Sequence, residues 1–512
     1  MNGDRKNNKN VLMLLFFSFL TLYVSTFLLI YNLLHVKMNN NIISNLIAVI
    51  FVFVQIIWYL IILNHVTTMS RLAFFKNLEP IYVKYEDLPS FSIIIPIYEE
   101  PKLVLEELVD GIMNLIYPKE KFEVIVVDDS NVKTLIDYNY GIFRKLREMG
   151  IWLKYDWRIG RKGFRGGAVK EGIQLASKEY IVTLDADHAP LPYVLLELAS
   201  IVKNPKYDYD VIIFPQFFKN WNKNSITIAS YIGYRFDYAF SRKGKAVTNS
   251  AFCVGTNWVA RRKKIIEAGI YYEQSIVEDM ATSMILWHPN GLKIGFYDRE
   301  LAYGMVPETL NAFKKQQYRW ARGAFELLPD YFKVFRKLTN IQKFDYLSQI
   351  IWYFIGLTVI LSNIFPISTA LGFMFIDIKD IFVVIFYTLF QVFLYPVPLY
   401  LVGEPLGRVF KGESIGIIVS GIYAKALIDT ILRKKAVFVV TPKGREVTSL
   451  IRILEEVKVP LILFSINILA IILALRNITW ENTVTIFWAL YNISWLSSAL
   501  WSLTKDILEG KI

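Results

Sequence analysis

Residues 11–34 contain no charged side chain, and neither do residues 42–63. About 20 consecutive apolar residues let a helix cross a bilayer, and each run is that long. Stretches of this kind have no place on the surface of a water-soluble domain, so they constrain the chain more than any other feature. Four more follow only after a long interval, at residues 346–375, 381–402, 459–475 and 483–504. The pattern predicts about six spans. Pro366, inside the third run, is expected to kink or end its helix. With 54% hydrophobic residues and a mean hydropathy of +0.36, the chain is too apolar for an ordinary soluble enzyme. It is also too charged to be all membrane. The single cysteine, Cys253, rules out an internal disulfide framework.

Six spans place both termini on one side. The turns at residues 35–41, 376–380 and 476–482 then face the other side, each with one Lys or Arg. The positive-inside rule makes the large middle region and both termini cytoplasmic, in a multi-pass protein of the plasma membrane. Three parts result: residues 1–64 with two helices, a cytoplasmic domain at 65–345, and a membrane region at 346–512. The net charge of +12 fits loops against anionic lipid or an anionic substrate. No basic stripe interleaved with aromatics speaks for nucleic acid. Residues 309–328 and 414–432 mix apolar and charged residues at helical spacing. They read either as interfacial helices or as helices packed on the soluble domain.

In the middle region "FSIIIPIYEEP", "FEVIVVDDS" and "YIVTLDADH" share one design, an apolar β-rich run ending in acids. Helical patterns at 103–116 and 166–176 lie between them. Strands alternating with helices predict an α/β fold with a mainly parallel sheet covered on both faces. Ligands bind such sheets beyond the carboxyl ends of the strands, so the acids should converge on one crevice. Gathered carboxylates repel unless a cation joins them. Mg²⁺ binds through one or two carboxylates plus substrate phosphates. Asp185 and Asp187 are the candidates to hold it, with His188 a third ligand or only a neighbour. A solvated strand end would read the same way. Glu278 and Asp279 head a helical pattern and could simply cap it. Gln316 to Trp320, "QQYRW", could be a solvated helix face with one buried Trp.

The ordered set "VVDDS", "DADH", "FCVGTNWVARR", "VED" and "QQYRW" resembles the membrane-embedded, processive family 2 glycosyltransferases, and "GMVPETLNAFKKQQYRW" the cellulose synthases among them. "FVVTPKG", residues 438–444, resembles their gating loop. The resemblance covers roughly residues 80 to 505. Val277 stands where the family often has Thr. Arg165, in "FRGGAV", stands where a phosphate-contacting Lys is expected. Ser130 replaces a Gly.

The resemblance implies a GT-A-type catalytic domain, a nucleotide-diphosphate sugar donor with UDP-glucose as leading choice, a divalent cation (Mg²⁺ or Mn²⁺) and a growing glycan acceptor. By position, Tyr98, Glu100, Asp128, Asp129, Arg165 and Asp185 would contact the donor. Asp185, Asp187 and His188 would hold the metal. Asp279 would be the base, with Glu278 beside it. Gln316, Arg319 and Trp320 would hold the acceptor or diphosphate. Thr441 and Lys443 would close over the site. Trp352, Trp488, Trp495 and Trp501 are candidates to line a conduit for the polymer. Mannan-, hyaluronan- or β-1,3-glucan-type products, non-processive transfer of one sugar, and a non-enzymatic scaffold are the alternatives.

Overall fold

The three apolar runs alternate residues between two opposite cores. Ile93, Ile95, Val124, Val126 and Val182 face one, under helices Lys102–Met113, Lys133–Glu148 and Val194–Val202. Ile94, Ile125, Val127 and Ile181 face the other, under helix Phe164–Leu175. Strands buried on both faces are continuous in hydrophobicity because neither side meets water. The structure, a computed structural model, describes residues 2–36, 40–373, 392–434 and 454–511, with side chains from residue 10 onward.

Among the described residues the strands are β1 (Phe91–Ile97), β2 (Phe122–Asp128), β3 (Trp152–Trp157), β4 (Tyr180–Thr183), β5 (Ala189–Pro190), β6 (Val211–Ile213), β7 (Phe217–Phe218), β8 (Trp258–Arg261), β9 (Ile294–Phe296) and β10 (Ala302–Gly304). Seven form one sheet in the order β3-β2-β1-β4-β8-β6-β9, and β5-β10-β7 form a small second sheet. Strands β1 to β4 are mutually parallel, and β8 runs antiparallel to both its neighbours. The carboxyl ends of β1, β2 and β4 therefore share one edge, and the antiparallel β8 brings its amino end to that edge. Helix Phe164–Leu175 lies close on the sheet because Gly172 has no side chain. A Cβ there would stand 2.4 Å from Ile94 Cγ2.

By length and composition, three helices can cross a membrane: Asn10–His35, Ile42–Phe74 and Leu406–Ile431. The first two match the sequence reading. The third contains residues 414–432, read above as interfacial or domain-packed. It packs on helices Ser225–Phe236 and Leu310–Glu326 of the domain as well as on other apolar helices. The third apolar run forms helices Asn340–Trp352 and Ile355–Ala370, a pair bent by 49° and able to count as a fourth span. Six spans are thus not reached among the described residues. Helix Lys458–Ala474 has only 17 residues. Residues 483–504 lie within helix Trp480–Leu508. Half of residues 381–402, from 381 to 391, lies outside the described residues.

The expected break at Pro366 is not where the chain bends. Helix Ile355–Ala370 continues through it, and the break falls at Tyr353–Phe354. Proline removes the amide that would bond the carbonyl four residues earlier. That carbonyl, of Ser362, instead accepts from Asn492 Nδ2 at 3.3 Å. A side chain from a neighbouring helix re-satisfies the freed backbone group.

A third core joins domain and apolar helices, with Val277, Met280, Phe313, Tyr346, Ile415 and Tyr423 as members. One ion pair anchors this joint. Arg71, ending helix Ile42–Arg71, donates to Asp345 through Nη1 at 2.6 Å and Nη2 at 3.3 Å. Asp345 is 1% exposed and also accepts from Ser250. Arg71→Ala would leave a buried carboxylate without its cation, a loss of about 3–5 kcal/mol. A lowered Tm of the detergent-solubilised protein is the expected result. Arg71→Lys should recover only part of it, because a lysine cannot make the paired contact.

Candidate active site

At the end of β2, Asp128 and Asp129 are both buried. Asp128 accepts from the Ser130 amide at 2.8 Å, from Asn139 Nδ2 at 3.0 Å and from the Tyr155 hydroxyl. Its carboxylate is spent on fixing the turn after the strand. Asp129 is held by Arg158 through two bonds of 2.8 and 2.7 Å. Burial raises the Asp129 pKa, with Arg158 opposing. Tyr98 follows β1 at the same edge, with the Arg161 guanidinium 3.3 Å from its ring centroid. Glu100 stands half-buried beside it.

Arg165 sits between two acids from distant parts of the chain. Its Nε and Nη2 donate to Asp185 Oδ1 at 2.8 and 2.6 Å, and its Nη1 to Glu278 Oε1 at 2.8 Å. Burial alone would lower its pKa, but Asp185 and Glu278 outweigh that and raise it. The glycines of "FRGGAV" make this approach possible. A Cβ on Gly166 would stand 3.0 Å from the Glu278 side chain, and one on Gly167 2.0 Å from the Lys162 carbonyl oxygen. The residue expected to meet phosphate thus also ties the acids after β4 to helix Glu278–Ala281.

Asp185, Asp187 and His188 each offer a ligand atom, all within 4.8 Å of one another. Their loop is pinned by β8's approach: the Asp185 amide donates to Thr256 Oγ1 at 2.9 Å, and the Asn257 amide to Thr183 O at 2.9 Å. His188 Nδ1 lies 3.2 Å from Asp187 Oδ1. Its Nε2 is buried with no hydrogen-bond partner among the described residues. Two carboxylates and one imidazole, each offering one ligand atom, are a donor set that fits a divalent cation. Gly304 lets the ring sit there, since a Cβ would come within 2.5 Å of it.

Asp279 opens helix Glu278–Ala281 and accepts from the Met280 amide at 2.7 Å. Burial, then the Glu278 charge, raise its pKa to about 6 against the pull of Arg165 and Arg319. Helix Leu310–Glu326 lies against it. The Thr309 side chain caps that helix through the Ala312 amide. Gly323 gives Val277 room, since a Cβ would stand 2.6 Å from the valine side chain. Arg319 Nη1 reaches the Ile276 carbonyl at 3.4 Å, Gln316 keeps a buried Oε1 without a partner among the described residues, and Trp320 packs edge-on against Tyr234.

Asp279 and Trp320 line a cavity of about 550 Å³ that continues among the apolar helices to Phe51, Trp488 and Tyr491. Trp352 and Trp495 line it too. Trp501, proposed with them, does not, and is 70% exposed. Arg158, Arg161, Thr256 and Tyr234 were not singled out from the sequence. The only signal was the density of Arg and Gly in "RIGRKGFRGG", where Arg161 and Phe164 adopt positive φ. Thr441, Lys443 and the 438–444 loop lie outside the described residues.

The comparisons agree with this geometry. Residues 180–401 match the family model described as "Glycosyl transferase family group 2". The chain is 27% identical over 290 residues to a probable glucomannan 4-beta-mannosyltransferase 10 of Arabidopsis thaliana, covering 53% of this chain and 51% of that relative. It is 25% identical over 290 residues to a poly-beta-1,6-N-acetyl-D-glucosamine synthase of Staphylococcus aureus, covering 54% and 65%. The chain thus spans about half to two thirds of the length of these relatives. The mannosyltransferase PcManGT from Pyrobaculum calidifontis, solved in complex with GDP-Man and Mn²⁺, superimposes with a TM-score of 0.53 at 14% identity, covering 77% of this chain and all of that one. Over residues 180–401 the chain is thus similar to the family 2 glycosyltransferases, on a GT-A-type α/β fold flanked by apolar helices.

Proposed function

We propose that the protein is a processive inverting glycosyltransferase, polymerising a sugar from a nucleotide-diphosphate donor into a β-linked polysaccharide and passing it across the plasma membrane. The observation that carries this reading is Asp279, held near pKa 6 at the mouth of a cavity that runs on among the apolar helices. The relatives' names bring mannose and N-acetylglucosamine beside glucose as the transferred sugar, so UDP-glucose, GDP-mannose and UDP-GlcNAc form the donor panel. Residues 65–345 and both termini are cytoplasmic in this reading, where the donor is made available.

Asp185, Asp187 and His188 would hold the divalent cation, which when bound supplies Lewis-acid neutralisation of the diphosphate. Arg165 would reach that diphosphate, and its bond to Glu278 Oε1 supports a second role in holding that acid fixed. Asp129, Tyr98 and Glu100 border the nucleotide end, with Asp128 setting their turn. Asp279 takes the proton of the acceptor hydroxyl as its oxygen attacks the anomeric carbon. The new C–O bond forms opposite the breaking one, whose electrons leave with the diphosphate, so the anomeric centre inverts. Trp320 offers an apolar face to the acceptor sugar, with Gln316 and Arg319 at its edge. Thr441 and Lys443 would close over the diphosphate and exclude water. Non-processive transfer to a lipid or short glycan would give one added sugar rather than a polymer, and product length on a sizing gel separates the two.

Three outcomes test the assignment. Asp279→Asn should lower kcat about 10²- to 10⁴-fold, in nucleotide-release assays over the donor panel. Only the ionised Asp279 is a base, so wild-type kcat should fall as pH drops through about 6. One unit lower, about a tenth of the plateau should remain. Asp187→Ala should weaken Mn²⁺ binding, read by electron paramagnetic resonance of free Mn²⁺, by more than the roughly 10- to 100-fold typical of an outer-shell loss.

A further inference from the structure

Inside the apolar helices the cavity wall carries a carboxyl group, Glu413, on helix Leu406–Ile431. Its Oε1 is buried and accepts no hydrogen bond among the described residues. An ionisable side chain at such a depth is costly and normally marks a path for a polar cargo. Gly412 and Gly416 share its wall, and around Gly416 a Cβ would meet nothing within 4 Å. Helix Trp480–Leu508 contributes Trp488, Tyr491 and Trp495, an aromatic stripe at helical spacing. Tyr491 and Tyr395 lie within electrostatic reach of Glu413. Aromatic faces take the C–H faces of sugar rings. A carboxyl group, ionised or neutral, accepts hydrogen bonds from their hydroxyls.

The same wall is poor in positive charge. Among the described lining residues the groups able to be cationic are Arg242 and His65. Arg242 is engaged by Asp237 Oδ2 at 2.7 Å and the Phe252 carbonyl at 2.6 Å. His65 has Nδ1 on the Ile61 carbonyl at 2.8 Å and Nε2 3.1 Å from the Tyr395 hydroxyl. A uronate carboxylate would have to shed water in this passage without a cation among the described lining residues to receive it, and burial of an unpaired charge is strongly unfavourable. We infer that Glu413 is an acceptor residue of a second carbohydrate site, which takes hydroxyl-bearing neutral glycans and, for want of a cation on its described wall, rejects glycans that carry carboxylates. This rests on reading the cavity as the product's path, and it sets the hyaluronan-type product apart from the glucan, mannan and poly-N-acetylglucosamine types.

The test uses the full-length protein in nanodiscs and the fluorescence of the lumen tryptophans. Cellohexaose, mannohexaose and chitohexaose are titrated beside a hyaluronan hexasaccharide. At least one neutral hexasaccharide should quench, with the hyaluronan fragment at least 10-fold weaker. Glu413→Ala should weaken the neutral ligand about 10-fold. Glu413→Lys should narrow the gap by admitting the hyaluronan fragment. Glu413→Gln keeps the shape and an acceptor oxygen, and serves where the alanine variant fails to fold: it should retain most of the neutral binding and still reject the hyaluronan fragment. Equal binding of neutral and acidic hexasaccharides, no binding of any neutral one, or neutral affinity unchanged in Glu413→Ala would each overturn the inference. Donor turnover unaffected in Asp279→Asn would instead sink the catalytic reading, whatever the oligosaccharides do.

Discussion

The rest of the site depends on one guanidinium. Arg165 contacts Asp185, which follows β4, and Glu278, which precedes Asp279. These acids are far apart in sequence, and without a cation between them they would push the two halves of the crevice apart. Arginine suits this place better than lysine. Its planar fork reaches two carboxylates at once, whereas an ammonium is a point charge. The departure at "FRGGAV" is therefore a change in how the crevice is held together, and the two glycines are part of it. Side chains at those positions would strike Glu278 and the Lys162 carbonyl.

Asp279 is positioned from the other side by packing. Val277 precedes Glu278 and lies on Gly323, while Trp320 lies one turn back on the same helix. That helix packs against helix Leu406–Ile431, where the Tyr423 hydroxyl donates to Gln317 at 2.7 Å and the Tyr318 hydroxyl to Asp429 at 2.8 Å. The geometry around Asp279 is thus coupled to an apolar helix as well as to the sheet. A displacement of either would change the distance between Asp279 and Trp320, and under the proposed mechanism proton transfer is acutely sensitive to that distance.

The sheet was legible because its signal is local. Buried parallel strands are unbroken apolar runs, and "FSIIIPI", "FEVIVVD" and "YIVT" end where the acids begin. The convergence of those acids followed from topology alone. Their individual roles did not, because which oxygen is free depends on neighbours remote in sequence. Asp128 is enclosed by Asn139 and Tyr155, and Asp129 by Arg158. The number of spans was less legible. Hydropathy registers length and polarity but not bends, so a 30-residue run resolved into two helices at 49°. Leu406–Ile431 carries its Lys, Arg and Glu among apolar residues, and that mixture masked a helix long enough to span.

Pro366 shows why such helices need polar side chains. In an apolar surrounding a freed carbonyl has no water to turn to. Asn492 takes the Ser362 carbonyl with Nδ2 and the Asn467 Oδ1 at 3.0 Å, and Asn467 donates in turn to Asn363 Oδ1 at 3.0 Å. Three helices are stitched through amides that bond one another. Asn363 and Asn492 also border the cavity. One set of groups thus repairs the proline defect, joins the helices, and gives the cavity a polar edge beside its aromatic stripe. A passage for a sugar polymer needs both, because each ring presents an apolar face and a rim of hydroxyls.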